Sequence, residues 1–165
     1  MSILLAAVAS VLAALLEISV IPGLTSVGQP NLVFLTTVVV TMMIGVEEGL
    51  TVAFLGGLMT DLLLPGHQLG GTSLVLLAMA GLTALVGRFL PQRRIAVAVL
   101  LVLILALVVQ PLQILVLAAT AGTPATVDPV ALIPPAVADA LLAIPLAAIL
   151  RIVWVRYGAH DRIEW

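Results

Sequence analysis

Along this chain, long apolar runs are separated by short polar breaks. Inside the runs there is no two-residue alternation; Val97–Val109, for example, reads VAVLLVLILALVV. A strand of a membrane barrel alternates apolar and polar residues over about ten positions, so the pattern predicts helices. Six runs stand out: Ser2–Ile21, Asn31–Val46, Gly49–Leu64, Thr72–Leu90, Ile95–Ala121 and Pro134–Val155. Crossing a hydrocarbon layer about 30 Å thick takes roughly 17–25 such residues. The breaks carry turn chemistry: Pro22-Gly23 to Gln29-Pro30, Gly45 to Gly49 around Glu47-Glu48, Pro65 to Gly71, Pro91 to Arg94, and Gly122 to Pro129. The second and third runs are short. Fused, Asn31–Leu64 would make a helix about 50 Å long, beyond one crossing. It would also hold Glu47 and Glu48 near the bilayer centre at a cost of several kcal/mol. A tight hairpin broken at Glu47-Glu48 is the expectation.

Composition names the solvent. Hydrophobic residues make up 63% and charged residues 8% of the chain, against about 25% charged in a soluble domain. The mean hydropathy is +1.35. A surface this poor in charge suits lipid, where the backbone must satisfy itself and only helices or closed barrels survive. The fold class expected is therefore all-α: a single transmembrane domain over residues 1–165, built as a six-helix bundle. The first run lacks a basic n-region and a small-residue cleavage site, so it reads as a span rather than a signal peptide. Net charge is −2 with no Lys, which leaves no nucleic-acid footprint. The absence of Cys excludes disulfides and thiolate metal sites.

The arginines set the orientation. Arg88, Arg93 and Arg94 fall between the fourth and fifth runs, and Arg151, Arg156 and Arg162 fall at the end of the sixth. Two crossings separate the clusters, so they share a side, and the positive-inside rule makes it cytoplasmic. Six crossings then put both termini there. Trp154, Tyr157 and Trp165 fit an interfacial aromatic anchor at that side.

Three carboxylates, Glu17, Asp61 and Asp139, fall within runs, all toward the outer side. Ionisable groups in lipid are costly, so each is a functional candidate, although each also lies near enough to a helix end to reach interfacial water. Asp128 adds a fourth acid outside, and His67 is the only base there. Gly49, Ala53 and Gly57 recur at i, i+4, i+8, a small-residue face that lets another helix approach beside Asp61. Catalytic sets are absent: His67 and His160 fall on opposite sides of the membrane, which also excludes a metal site built on both. No Gly-rich phosphate loop with its Lys occurs. Neither an enzyme nor a cofactor is expected. Mid-depth polar residues are few, mainly Thr36, Thr37, Thr41, Gln110 and Gln113. Pro111 is expected to kink its helix. Helix-to-helix hydrogen bonding explains these groups as well as transport does.

From Pro30 to Leu90 the order of residues resembles the rod shape-determining MreD family. Pro30-Asn31-Leu32 opens a run, followed by Gly49, Phe54 and Gly57-Leu58-Met59-Thr60-Asp61-Leu62-Leu63. A loop ending Leu69-Gly70 follows, and Ser73-Leu74 begins the next helix. The resemblance implies a non-enzymatic scaffold of the cell-elongation complex. Its implied partners are MreC, a single-span protein with a large external domain, the wall polymerase and transpeptidase, and an actin-like filament inside. On that basis Gly57 and its face are candidates to meet a partner's helix, and Asp61, Glu17 and Asp139 to meet a partner's basic residues, with Gly70 a structural candidate. Self-association into a homo-oligomer stays open. A rival reading is the substrate-binding subunit of an energy-coupling factor vitamin transporter. Those subunits are similar to MreD in architecture and use small-residue spacing like Ala9-x-x-x-Ala13. A vitamin pocket also calls for outer polar and aromatic residues, and the outer loops offer Gln29, Asn31, His67 and Gln68 but no aromatic.

Overall fold

A computed structural model describes residues 2–19, 30–63, 70–89, 95–121 and 130–157. His67, Arg93, Arg94, Asp128, His160, Arg162 and Trp165 lie outside the described residues, and so do the side chains of Trp154 and Tyr157. The described residues form six helices and no strand: α1 (Ser2–Ser19), α2 (Leu32–Met43), α3 (Val46–Leu63), α4 (Gly71–Gly87), α5 (Ile95–Ala121) and α6 (Ile133–Tyr157). Two of them, through Ile95–Val116 and Ile133–Ile152, are long and apolar enough by themselves to cross a membrane.

The break between α2 and α3 falls at Ile44-Gly45, before Glu47-Glu48 rather than on it. Both glutamates stand in the first turn of α3. There the positive end of the helix dipole favours them. Gly45 N–H donates back to Val40 O at 3.2 Å, and Gly49 N–H to Gly45 O at 3.1 Å, so the chain reverses with few unpaired amides. Gly49 packs on Thr41, and Gly56 packs on Val33 and Ser10. Moving up α3 therefore means moving down α2, and the two helices are antiparallel.

The shortest helix is the centre of the molecule. Every residue of α2 from Val33 to Met43 is buried, and α1, α3, α4, α5 and α6 all pack against it. Twelve residues rise only about 18 Å, less than a bilayer's hydrocarbon thickness. A helix enclosed by protein need not span that thickness, because its ends meet side chains rather than lipid. Being buried all round, α2 is apolar all round, as LVFLTTVVVTMM shows. Its threonines turn inward on their own backbone: Thr36, Thr37 and Thr41 donate to the carbonyls of Leu32, Val33 and Thr37 at 2.7, 2.8 and 2.7 Å. Thr60 and Thr83 do the same on α3 and α4.

Around α2 the other helices follow one another as neighbours, α1 beside α3, then α4, α5 and α6, but α6 and α1 do not adjoin. Among the described residues the ring is open between them. In lipid there is no hydrophobic gain from joining two helices, so close packing of small residues does the work. Buried Ala6, Ala13 and Ala14 on α1 and Ala136, Ala140, Ala143 and Ala147 on α6 fit that requirement. Helix α5 continues through Pro111, and α6 continues through Pro145. Each proline removes one backbone hydrogen bond without ending its helix.

Candidate functional site

Two helix starts, both at the same end of the bundle, collect Glu17, Asn31, Asp61 and Asp139. The first is the start of α2. Asn31 is its N-cap, and its side-chain oxygen accepts from Phe34 N at 2.7 Å. Asp139 of α6 accepts from Asn31 N at 2.8 Å, and Glu17 of α1 accepts from Val33 N at 3.0 Å. Asn31 Nδ2 reaches Gln113 Oε1 of α5 at 3.4 Å. Four helices thus meet through hydrogen bonds on one helix start. The first amides of α2, which have no partner within the helix, are answered by two carboxylates from elsewhere in the chain.

The second is the start of α4. Gly70, with φ 95°, makes no side-chain cap of its own. Asp61, near the end of α3, supplies the acceptor: its carboxylate bonds Gly70 N at 2.8 Å and Thr72 N at 3.2–3.3 Å. Beside it, Gly57 lets α4 come close; a Cβ added there would lie 2.6 Å from Ser73 Cα and 2.8 Å from Ser73 N. Ser73 Oγ donates across to Phe54 O at 3.3 Å. Gly57, Asp61, Gly70 and Ser73 are thus parts of one helix-to-helix joint.

The candidate residues divide accordingly. Structure brings Glu17 and Asp139 together on α2, whereas Asp61 serves α4. The face of Gly49, Ala53 and Gly57 meets more than one neighbour: Gly49 faces α2, Gly57 faces α4, and Ala53 is fully buried in the core. A leucine at Gly57 collides with Ser73 backbone, so that substitution tests the fold itself before it tests any partner contact. Sequence reasoning passed over Asn31 as a cap, although an Asn just before an apolar run is a helix-start signal. Nothing in the sequence connects Gln113 to Asn31, 82 positions apart.

Chemically, the start of α2 is closed to anions, because the amides that would hold one already face carboxylates. What remains is acceptor capacity: Asp139 is fully buried and its Oδ2 has no hydrogen-bond partner. Gln110 Nε2, one turn from Gln113 on α5, is also buried and unpartnered. The described arginines sit at the other end of the bundle. Arg88 is the C-cap of α4, and Arg151 lies twelve positions, about 18 Å, along α6 from Asp139. Among the described residues no group of three or more His, Cys, Asp or Glu is placed to hold a metal ion.

The family model for rod shape-determining protein MreD matches residues 1–153. The chain belongs to the MreD family. That match extends well beyond the Pro30–Leu90 stretch whose residues carry the resemblance, and it places the protein in the determination of rod shape. No curated protein and no solved structure matches the chain. Of the residues that resemble the MreD pattern, Pro30-Asn31-Leu32 opens the start of α2, and Gly57, Asp61, Gly70 and Ser73 build the joint at the start of α4.

Proposed function

We propose that this protein is a non-enzymatic, six-span scaffold of the bacterial cell-elongation complex, with both termini cytoplasmic, that binds an MreC-like single-span protein. Through that partner it helps couple an actin-like filament to the enzymes that extend the wall. The observation that carries this reading is the MreD match over residues 1–153. The use of the polar residues agrees with it. Intramembrane Thr, Asp and Glu side chains bond helix backbones, where a pump or channel would line a path with them. The sidedness rests on Arg88 and Arg151 standing at the end opposite Glu17, Asp61 and Asp139, together with the positive-inside rule.

The test is a tagged pull-down from native membranes in mild detergent, with the co-purifying proteins identified by mass spectrometry. A single-span partner with a large external domain, together with wall-synthesis enzymes, is the expected result. A pair of ATPases with a membrane coupling subunit would sink the scaffold reading in favour of a vitamin-binding subunit. Reporter fusions at residues 66 and 125 are expected to read external, and at residue 92 cytoplasmic.

A further inference from the structure

We propose that the open seam between α1 and α6 receives a partner's transmembrane helix, and that this helix presents an arginine to Glu17 and Asp139. The proposal rests on the membrane-scaffold reading and names the chemistry of the partner it requires.

Three observations converge on the seam. First, among the described residues each helix of the ring around α2 adjoins the next except α6 and α1. At the far end Leu150 of α6 packs against the cluster of Ala6, Val40 and Val52, which narrows the opening there. Toward the start of α2 each wall contributes one carboxylate, Glu17 from α1 and Asp139 from α6. Second, Asp139 has an oxygen that is buried and without a donor. A buried acceptor without a partner is costly, and an incoming donor recovers that cost. Third, this end holds two carboxylates and no described cation. One helix start offers roughly +0.5 of an elementary charge, less than two carboxylates carry when ionised. The described arginines stand at the opposite end, too far to help.

Anionic ligands are excluded because the amides of Asn31, Val33 and Phe34 are already bonded. The group that fits is a cation with several donors. Guanidinium, with five N–H groups in a planar fork, serves two carboxylates at once better than an ammonium does. Glu17 is partly buried and Asp139 fully buried, so Glu17 is met first. Engaging Asp139 requires the side chains over it to shift, a rotamer change of the sort that commonly accompanies binding. Exposed apolar residues, Leu16 next to Glu17 on α1 and Leu142 one turn from Asp139 on α6, suit the rest of a helix rather than a soluble peptide.

The probe is a Leu/Ala transmembrane peptide of about 20 residues, carrying either one arginine or a leucine at the depth of Glu17, with the protein held in nanodiscs. The arginine peptide is expected to bind about tenfold more tightly than the leucine peptide. Glu17→Gln with Asp139→Asn is expected to bring the two within about twofold. Because those substitutions also touch the start of α2, a second measurement leaves both carboxylates intact. The chain has no Cys, so Leu16→Cys and Leu142→Cys report the seam, and Leu74→Cys and Leu115→Cys report α4 and α5 at the same end. A cysteine on the arginine peptide is expected to cross-link at the first pair and not at the second. Equal affinity of the two peptides, or cross-linking that favours Leu74 and Leu115, overturns the proposal. Success of the native pull-down alongside failure of the peptide would leave the scaffold reading standing and remove only the seam. The converse result would remove the scaffold reading alone.

Discussion

The starts of α2 and α4 solve the same problem with different reach. Both leave backbone amides without a partner in their own helix, and both answer them with carboxylates. At α4 the carboxylate is Asp61, nine positions from Gly70 and eleven from Thr72, so the joint is a local hairpin. At α2 the acceptors come from Asn31 itself, from Glu17 sixteen positions before Val33, and from Asp139, 108 positions from Asn31. Among the described residues the α4 start leans on one side chain. The α2 start shares the load among several helices and thereby ties the beginning, middle and end of the chain together. Dependence on one group makes a start fragile to single substitutions, whereas sharing spreads each loss.

The sharpest way to break the α4 joint is Gly57→Leu. Ser73 backbone cannot move aside as a flexible side chain would, so destabilisation of about 3 kcal/mol is expected in a detergent unfolding titration. Wild-type stability for this variant would mean that α3 and α4 are not as close as described. Next comes Asp61→Ala, which strips the amides of Gly70 and Thr72 at once and is expected to cost about 2 kcal/mol. Asn31→Ala removes the cap to Phe34 but leaves Glu17 and Asp139 in place, so about 1 kcal/mol is expected. A larger loss at Asn31 than at Asp61 would refute the idea that the α2 start is the redundant one.

Pairing sharpens the contrast further. A double-mutant cycle of Glu17→Gln and Asp139→Asn is expected to be non-additive by about 0.5–1 kcal/mol, because both act on one helix start. Asp61→Asn combined with Asp139→Asn is expected to be additive within about 0.5 kcal/mol, since they serve different helices. The smallest effect is expected at Gly81→Ala. A Cβ there meets nothing within 4 Å, so the change is expected to be neutral or stabilising by up to about 1 kcal/mol.

Much of the helix layout is legible because apolar run length and turn residues are local signals. The six runs and the six helices coincide to within a few residues. One shift has a clear cause: α3 starts at Val46 rather than Gly49 because glutamates stabilise a helix's first turn instead of ending it. Asp61 was legible as a site beside a close approach, since Gly57 and Asp61 stand four apart on one helix face. That Asp61 spends its oxygens on Gly70 and Thr72 was not legible, because a motif names residue types and not the direction of a carboxylate. Nor was the convergence of Glu17 and Asp139, since nothing local links positions so far apart.

By itself the sequence determined the solvent, the helices and the end of the bundle at which charge would gather. Each of these follows from composition or from the spacing of neighbouring residues. Only the tertiary structure decided which helix is enclosed, which helix start each carboxylate serves, and that α1 and α6 do not adjoin among the described residues. The physical reason is that helices in lipid gain little from hydrophobicity when they pair. Their arrangement is set instead by close approach at small residues and by buried polar groups finding partners, and both depend on neighbours distant in sequence.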